Sequence, residues 1–242
     1  MAGFGVPHRH HRSTESTNAR ARELAIAGAP HGLIVTADEQ SAGRGRQGRS
    51  WFAIAGASLL YSALLRPLGK RPLLPLAVPL AVCEAAEGLA RVTCAVKWPN
   101  DVWIEGRKLA GVLIESRAGS EGFAVIGVGL NLSVPADAFP EELRGTATSL
   151  GLHSDPAPTA AAARAALSDA LGRWIDADAD TVLAGFRERD ALAERRIAWQ
   201  GGEGTAAGID DSGHLLVETE AGGTVTLGAG EVHLELGRAE GG

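Results

Sequence analysis

The chain has 242 residues, 45% hydrophobic and 21% charged, with a formal net charge of −6 at pH 7. That is ordinary for a globular protein, and long enough for one catalytic domain with an appendage or for two modest domains. No run reaches the roughly 18 uninterrupted apolar residues of a membrane span, and the opening stretch MAGFGVPHRHHRSTESTN holds no apolar core of signal-peptide length. A cytoplasmic protein with no membrane attachment and no general appetite for anions is expected.

HRHHR, His8 to Arg12, reads as a solvated tail rather than a metal site, since it lies at a terminus with no partner carboxylates nearby. ESTNARARELAIAGA reads as a capped helix, with Ser16 or Thr17 as N-cap and Ala19, Leu24 and Ile26 as its apolar content. Gly32 to Gln40 is a buried strand, Ser58 to Leu65 a second one, and Pro75 to Arg91 contains a helix. Four short β-rich pieces follow, CAVKW, VWIEG, KLAGVLIES and FAVIGVGLNLSV, the first two joined through the turn PND. Their spacing suits hairpins, so an α+β fold is expected, a mixed β-sheet with helices on one face. Ala160 to Trp174 and TVLAGFRERDAL add two helices.

Beyond Leu192 the chain changes to short alternating strands with glycine-containing turns, a small barrel or sandwich of about five strands. Two units are therefore expected, residues 1–192 and 193–242. Ala193 to Arg238 holds three Arg against eight Asp and Glu, a balance of −5 that argues against nucleic acid. Cys83 and Cys94 form no C-x-x-C pair and read as buried, reduced, inert thiols.

Against this acidic background QSAGRGRQGRSW, Gln40 to Trp51, stands out. Glycine lets the backbone come close to a ligand, and each arginine offers a charged fork of donors suited to carboxylate and phosphate oxygens. Such a loop is expected to be mobile when empty and ordered by a small polyanion such as a nucleotide; an RNA-binding tail or a plain surface loop are the alternatives. It matches neither the phosphate loop nor the dinucleotide fingerprint. In KWPNDVWIEGRKLAGVLIE, Lys97 ends an apolar strand beside Trp98, positioned to enter a site or to snorkel at the surface. Asn100 and Asp101 are turn residues for which structural and functional roles are both open. Gly111 permits close backbone approach, while Glu115 can be a solvated strand end. In GVGLNL, Gly127 and Gly129 leave one strand face bare, as a floor for an apolar ligand or as a bulge, and Asn131 can hydrogen-bond a base or phosphate.

STN, QSAGRGRQGRSW, KWPNDV, KLAGVLIE, GVGLNL and TSL, in this order from about Ser16 to Leu236, resemble the biotin protein ligases. The resemblance implies a class II aminoacyl-tRNA synthetase-like catalytic domain with a small SH3-like β-barrel behind it. It implies that biotin and Mg-ATP give biotinyl-5′-adenylate and pyrophosphate, and that the adenylate then biotinylates a lysine of a carrier domain. By motif position Ser16, Thr17, Asn18, Gln40, Arg44, Gly45, Arg46 and Lys97 match the biotin-contacting positions, with Gly127 and Gly129 beside the valeryl chain. Arg46, Arg49, Trp51, Lys97 and Asn131 fall on the ATP side, and Lys97 and Arg46 are the catalytic pair. ATP, Mg²⁺ and biotin are the small molecules implied, with no resident metal site. The partner implied is a biotin carboxyl carrier domain of an acyl-CoA or pyruvate carboxylase.

Some members of that family place a DNA-binding domain ahead of the catalytic core. Here STN begins at Ser16, so a stand-alone ligase without direct DNA binding is expected. Sheet-edge dimerisation occurs in relatives of this kind, and monomer and dimer both stay open. A lipoate or octanoate ligase is the nearest rival, but it would lack GRGRQGR. A nucleic-acid module conflicts with the acidity, and a non-catalytic biotin-binding scaffold would have lost the loop arginines or Lys97, all of which are present.

Overall fold

The computed structural model describes residues 3–119, 121–228, 230 and 232–234. The last part of the second expected unit, residues 235–242, and the end of the resemblance at Leu236 lie outside the described residues. Seven strands form the larger sheet: β1 His8–Thr14, β2 Ile34–Gln40, β3 Ser58–Leu65, β4 Ala95–Lys97, β5 Asp101–Ile104, β6 Arg107–Arg117 and β7 Phe123–Asn131. Their order is β1-β2-β3-β7-β6-β5-β4. The expected hairpins are there, β4–β5, β5–β6 and β6–β7, all antiparallel. Glu105 and Gly106, at φ 50° and 75°, make the tight β5–β6 turn.

Two expectations are corrected. HRHHR is not a tail: it belongs to β1, which pairs in parallel with β2 through the helix α1, Thr17–Ile26. A carboxylate does stand near it, since β2 brings Asp38 to 3.4 Å from His10 Nε2. Nor do the helices share one face. α1 packs on β2, β3 and β7 from one side, while α2 Leu74–Leu89, α3 Ala160–Ile175 and α4 Ala179–Arg189 lie on the other. β3 is accordingly buried on both faces, Tyr61, Ala63 and Leu65 towards α2 and α3 and Leu64 towards α1. The buried residues of α1 are Thr17, Asn18, Ala21 and Ala25, whereas Ile26 is 63% exposed. Small side chains let the helix lie close on the sheet.

α2 is apolar nearly all round because it is central, packed by α3, α4 and the sheet. Its Glu84 accepts from Trp174 Nε1 at 2.6 Å and pairs with Arg173, both on α3. Cys83 and Cys94 are buried and free, and the Cys83 pKa is pushed up by its hydrogen bond with Cys94 and by burial. A protonated thiol is a poor nucleophile, which agrees with an inert role.

The remaining strands, β8 Arg196–Trp199, β9 Gly202–Ile209, β10 Leu215–Glu218, β11 Thr224–Leu227 and β12 Val232–Leu234, form a five-stranded antiparallel sheet in the order β11-β10-β9-β8-β12, as in an SH3-like domain. It shares the main apolar core: Ile197, Leu215, Val217 and Val232 belong to the same buried cluster as Leu73, Leu76 and Leu80. Trp98 Nε1 donates to Gly213 O at 3.1 Å. Gly213 has φ +81°, and a Cβ there would stand 3.0 Å from Leu76 Cδ1 and 3.2 Å from Leu73 Cδ2. Gly213→Ala is therefore expected to lower stability by about 1–3 kcal/mol through backbone strain and crowding together. Urea unfolding checks this, and an unchanged midpoint would mean that the small sheet is not held to α2 at this turn.

Candidate active site

On the α1 side of the large sheet, off the N-terminus of that helix, lies a cavity of about 610 Å³. The helix begins on a built network. Ser16 is the N-cap, its hydroxyl accepting from Ala19 N. Thr17 donates from N and Oγ1 to Gln40 Oε1, at 2.7 and 3.0 Å. The Ser62 hydroxyl, wholly buried on β3, lies 2.8 Å from Thr17 Oγ1 and 2.6 Å from Asn18 Oδ1. Asn18 Nδ2 donates to Glu115 Oε2 at 2.8 Å and to Leu113 O at 3.3 Å. Most polar ends in this cluster are thus oriented by a partner, which fixes the cavity wall. Glu115 is no solvated strand end: its other oxygen stands 3.7 Å from Arg44 Nη2.

The glycine–arginine segment is a turn closed by backbone hydrogen bonds. Gly45 N donates to Arg49 O at 2.7 Å, Trp51 N to Gly43 O at 3.0 Å, and Arg44 bridges Ser50. Gln47 takes a left-handed φ of 54° and Gly48 one of 76°. A Cβ at Gly43 would fall 2.9 Å from Gln40 Nε2 and 3.3 Å from Trp51 O, so the bare glycine lets the loop lie close against Gln40. Arg46 Nη1 donates to Asn100 Oδ1 at 3.1 Å.

Across the cavity, β4, the PND turn and β5 present Lys97, Asn100, Asp101 and Trp103. Lys97 Nζ sits over the Trp103 ring, 5.4 Å from its centroid. Lys108 Nζ stands 2.7 Å from Asp101 Oδ1, an ion pair rather than an aligned hydrogen bond, and 5.6 Å from the centre of the Trp51 ring. Asn131 is buried, its Nδ2 donating to Thr148 O at 3.0 Å.

The glycine face is covered by side chains of this chain. Gly111 and Gly129 are register partners on β6 and β7, and the Trp51 indole lies on them. A Cβ at Gly129 would meet Trp51 Cε2 at 2.4 Å, and one at Gly111 would meet Cζ3 at 3.0 Å. Gly127 faces Asn18, whose Oδ1 would be 2.2 Å from a Cβ. Trp51 Nε1 and Trp103 Nε1 are buried with no hydrogen-bond partner among the described residues.

Every residue singled out from the sequence, Ser16, Thr17, Asn18, Gln40, Arg44, Gly45, Arg46, Arg49, Trp51, Lys97, Gly127, Gly129 and Asn131, lines this one cavity. Sequence reasoning assigned no role to Ser62, although a serine in the middle of the apolar run SLLYSALL was its signal. It also gave none to Trp103 and Lys108, which only the β5–β6 register brings to the wall. Phe139 and Leu143 line the cavity from the loop beyond β7, the segment of roughly residues 133–145 that the family resemblance places over the adenine. β12 of the small sheet adds Val232 and His233 to the lining.

The biotin/lipoate A/B protein ligase family matches residues 11–131, and the biotin protein ligase C terminal domain matches residues 202–234. The chain is 36% identical over 236 residues to the biotin--[acetyl-CoA-carboxylase] ligase of Mycobacterium tuberculosis, covering 90% of this chain and 85% of the relative. To the bifunctional ligase/repressor BirA of Bacillus spizizenii it is 36% identical over 237 residues, 86% of this chain and 68% of the relative. The biotin protein ligase from Aquifex aeolicus in complex with biotin and ATP superposes with a TM-score of 0.79 at 26% identity, covering 95% of this chain and 99% of that one. Matched at both its large sheet and its small one, the chain belongs to the biotin protein ligase family.

Proposed function

We propose that this chain activates biotin with ATP to biotinyl-5′-adenylate and transfers the biotin to a lysine of a carboxyl carrier domain. The observation that carries the reading is the gathering of Arg44, Arg46, Arg49, Lys97 and Lys108 around one cavity in a chain of net charge −6. A biotin carboxylate must approach the α-phosphate of a polyanion. Two like unit charges at 4 Å repel by about 4 kcal/mol at an effective dielectric of 20, so several such pairs without compensation would forbid contact. A site that supplies fixed positive charge where the reaction concentrates negative charge lowers that barrier.

In the first step a carboxylate oxygen of biotin forms a bond to the α-phosphorus, and the bond from that phosphorus to the bridging oxygen breaks, releasing pyrophosphate. Lys97 is the residue placed between carboxylate and α-phosphate in this reading, with Arg46 and Arg49 on the phosphate side. In the second step the neutral amine of the carrier lysine attacks the adenylate carbonyl. The carbon–oxygen bond breaks, AMP leaves, and the amine loses its proton. No covalent enzyme intermediate is needed. The neutral ureido ring suits the Thr17, Asn18 and Gln40 end, where amide and hydroxyl groups are already fixed by partners. Trp51 and Trp103 line the cavity on the nucleotide side.

Magnesium enters as the counter-ion of the triphosphate. Such a cation is held by phosphates, water and one or two carboxylates, and Asp101 and Glu142 are carboxylates of the cavity wall. The carrier would be a biotin carboxyl carrier domain of an acyl-CoA or pyruvate carboxylase, meeting the ligase in the cytoplasm. The division into a catalytic unit 1–192 and a small unit 193–242 is part of the same proposal. Among the described residues no helix is long and apolar enough to cross a membrane.

The reading predicts exchange of labelled pyrophosphate into ATP that depends on biotin and not on lipoate or octanoate, with no carrier present. Lys97→Ala should lower it about 100- to 1000-fold, the scale for losing a preorganised electrostatic group. Exchange driven by lipoate or octanoate would overturn the substrate, and no exchange with any acid would overturn adenylation. A second prediction concerns the glycine seat. Gly129→Ala should displace the Trp51 ring, because the new Cβ and Cε2 cannot share 2.4 Å. It should then lose about as much exchange activity as Trp51→Ala, and the double variant should be no worse than either. Additive losses would show that Gly129 acts on the ligand and not through Trp51.

A further inference from the structure

Asn100, one of the two turn residues whose role the sequence left open, reaches far outside its turn. We propose that Asn100 is a positioning residue for the Arg46 guanidinium: its carboxamide oxygen holds that side chain aimed into the cavity. Asn100 Nδ2 donates to Val112 O at 3.0 Å, and Val112 N donates back to Asn100 O at 3.0 Å. This two-way tie to β6 fixes the amide plane. A guanidinium has only donors, so the group facing Arg46 Nη1 at 3.1 Å must be the oxygen, and the nitrogen must then find an acceptor, which Val112 O provides. Both ends of the carboxamide are specified by their partners.

The alternative is that Asn100 merely completes a turn. A turn asparagine usually bonds backbone two residues on. This one bonds a strand twelve residues ahead and a loop 54 residues behind. The tie also suits the chemistry of asparagine better than that of aspartate. An aspartate would keep an acceptor for Arg46 but set its second oxygen against the Val112 carbonyl, and it would add a negative charge beside a cation meant for phosphate. An amide holds the guanidinium while contributing no charge of its own. An arginine already confined to one rotamer has less freedom to lose on meeting its anion.

The inference rests on the proposed adenylation for its kinetic consequence and on loop geometry alone for its proteolytic one, so the two can fail separately. The full-length chain is compared with Asn100→Ala, Asn100→Asp, Arg46→Ala and the Asn100→Ala/Arg46→Ala double variant. In biotin-dependent exchange, Asn100→Ala should lower kcat/KM for Mg-ATP about tenfold, the scale of a hydrogen bond to a charged group. The same substitution in the Arg46→Ala background should change it less than twofold. Equal losses in both backgrounds, or no loss in either, would overturn the proposal. Limited trypsin digestion without ligands gives the second reading. Cleavage after Arg44 and Arg49 should be several-fold faster in Asn100→Ala than in the parent, faster to the same degree in Arg46→Ala, and no faster still in the double variant. Asn100→Asp, which keeps the acceptor but loses the bond to Val112 O, should be cleaved at a rate between those of the parent and Asn100→Ala; if Asn100→Ala is cleaved no faster than the parent, the latch does not exist. Absence of biotin-dependent exchange in the parent would overturn the proposed function and leave the digestion to decide the latch.

Discussion

Concentrating positive charge on one small cavity is the constraint that the rest of this site answers. Five cationic side chains from the loop, β4 and β6 face the same 610 Å³, and unheld they would repel one another and swing into solvent. The structure gives four of them anchors on rigid elements. Glu115 on β6 stands by Arg44, Asp101 at the head of β5 pairs with Lys108, Asn100 takes Arg46, and the Trp103 ring lies under Lys97. Each anchor sits on the β4–β5–β6 hairpin run, whose ladder fixes its position to within a register step. Charge is therefore stored on a segment rich in glycine while its placement is set by strands. A charge placed beforehand needs no reorganisation when the reaction develops its own.

The same economy governs the glycines. Gly111 and Gly129 face each other across β6 and β7, and the space their missing side chains leave is filled by Trp51, the residue that ends the loop. Gly127, one pair along, is filled by Asn18 from the start of α1. So two elements distant in sequence dock on one bare stripe of sheet. A methyl group on that stripe would stand inside van der Waals contact with an aromatic carbon or an amide oxygen, which neither rotamer change nor modest backbone movement absorbs cheaply.

What the sequence showed of this depended on how local each cause was. Apolar, β-rich runs marked β2, β3, β6 and β7, and the Ser–Thr–Asn and glycine–arginine motifs named a cavity lining that the fold brings together. β1 was missed because an edge strand has one neighbour: HRHHRST shows only a faint burial pattern, and its place is set by backbone bonds to β2. The face chosen by α1 was missed because it is buried through Ala21 and Ala25, while the large apolar Ile26 that drew attention points to solvent. Asn100 and Glu115 were picked out inside their motifs, but nothing local named what they hold. Their partners lie 54 and 71 positions away in the loop, and only the packing of that loop on the hairpins turns a turn residue and a strand end into parts of a site.

The small sheet belongs to this arrangement rather than beside it. The residue after Lys97 is Trp98, 3% exposed, and its indole N–H is bound to Gly213 O in the turn before β10. Across the same sheet, β12 sends Val232 and His233 to the cavity wall. β12 is positioned by β8, and β8 through Ile197 by the core that α2 organises. A displacement of the small sheet would thus move both the neighbour of Lys97 and one wall of the cavity. The change in sequence character after Leu192 marks a boundary along the chain, but the apolar core runs across it, and so does the site.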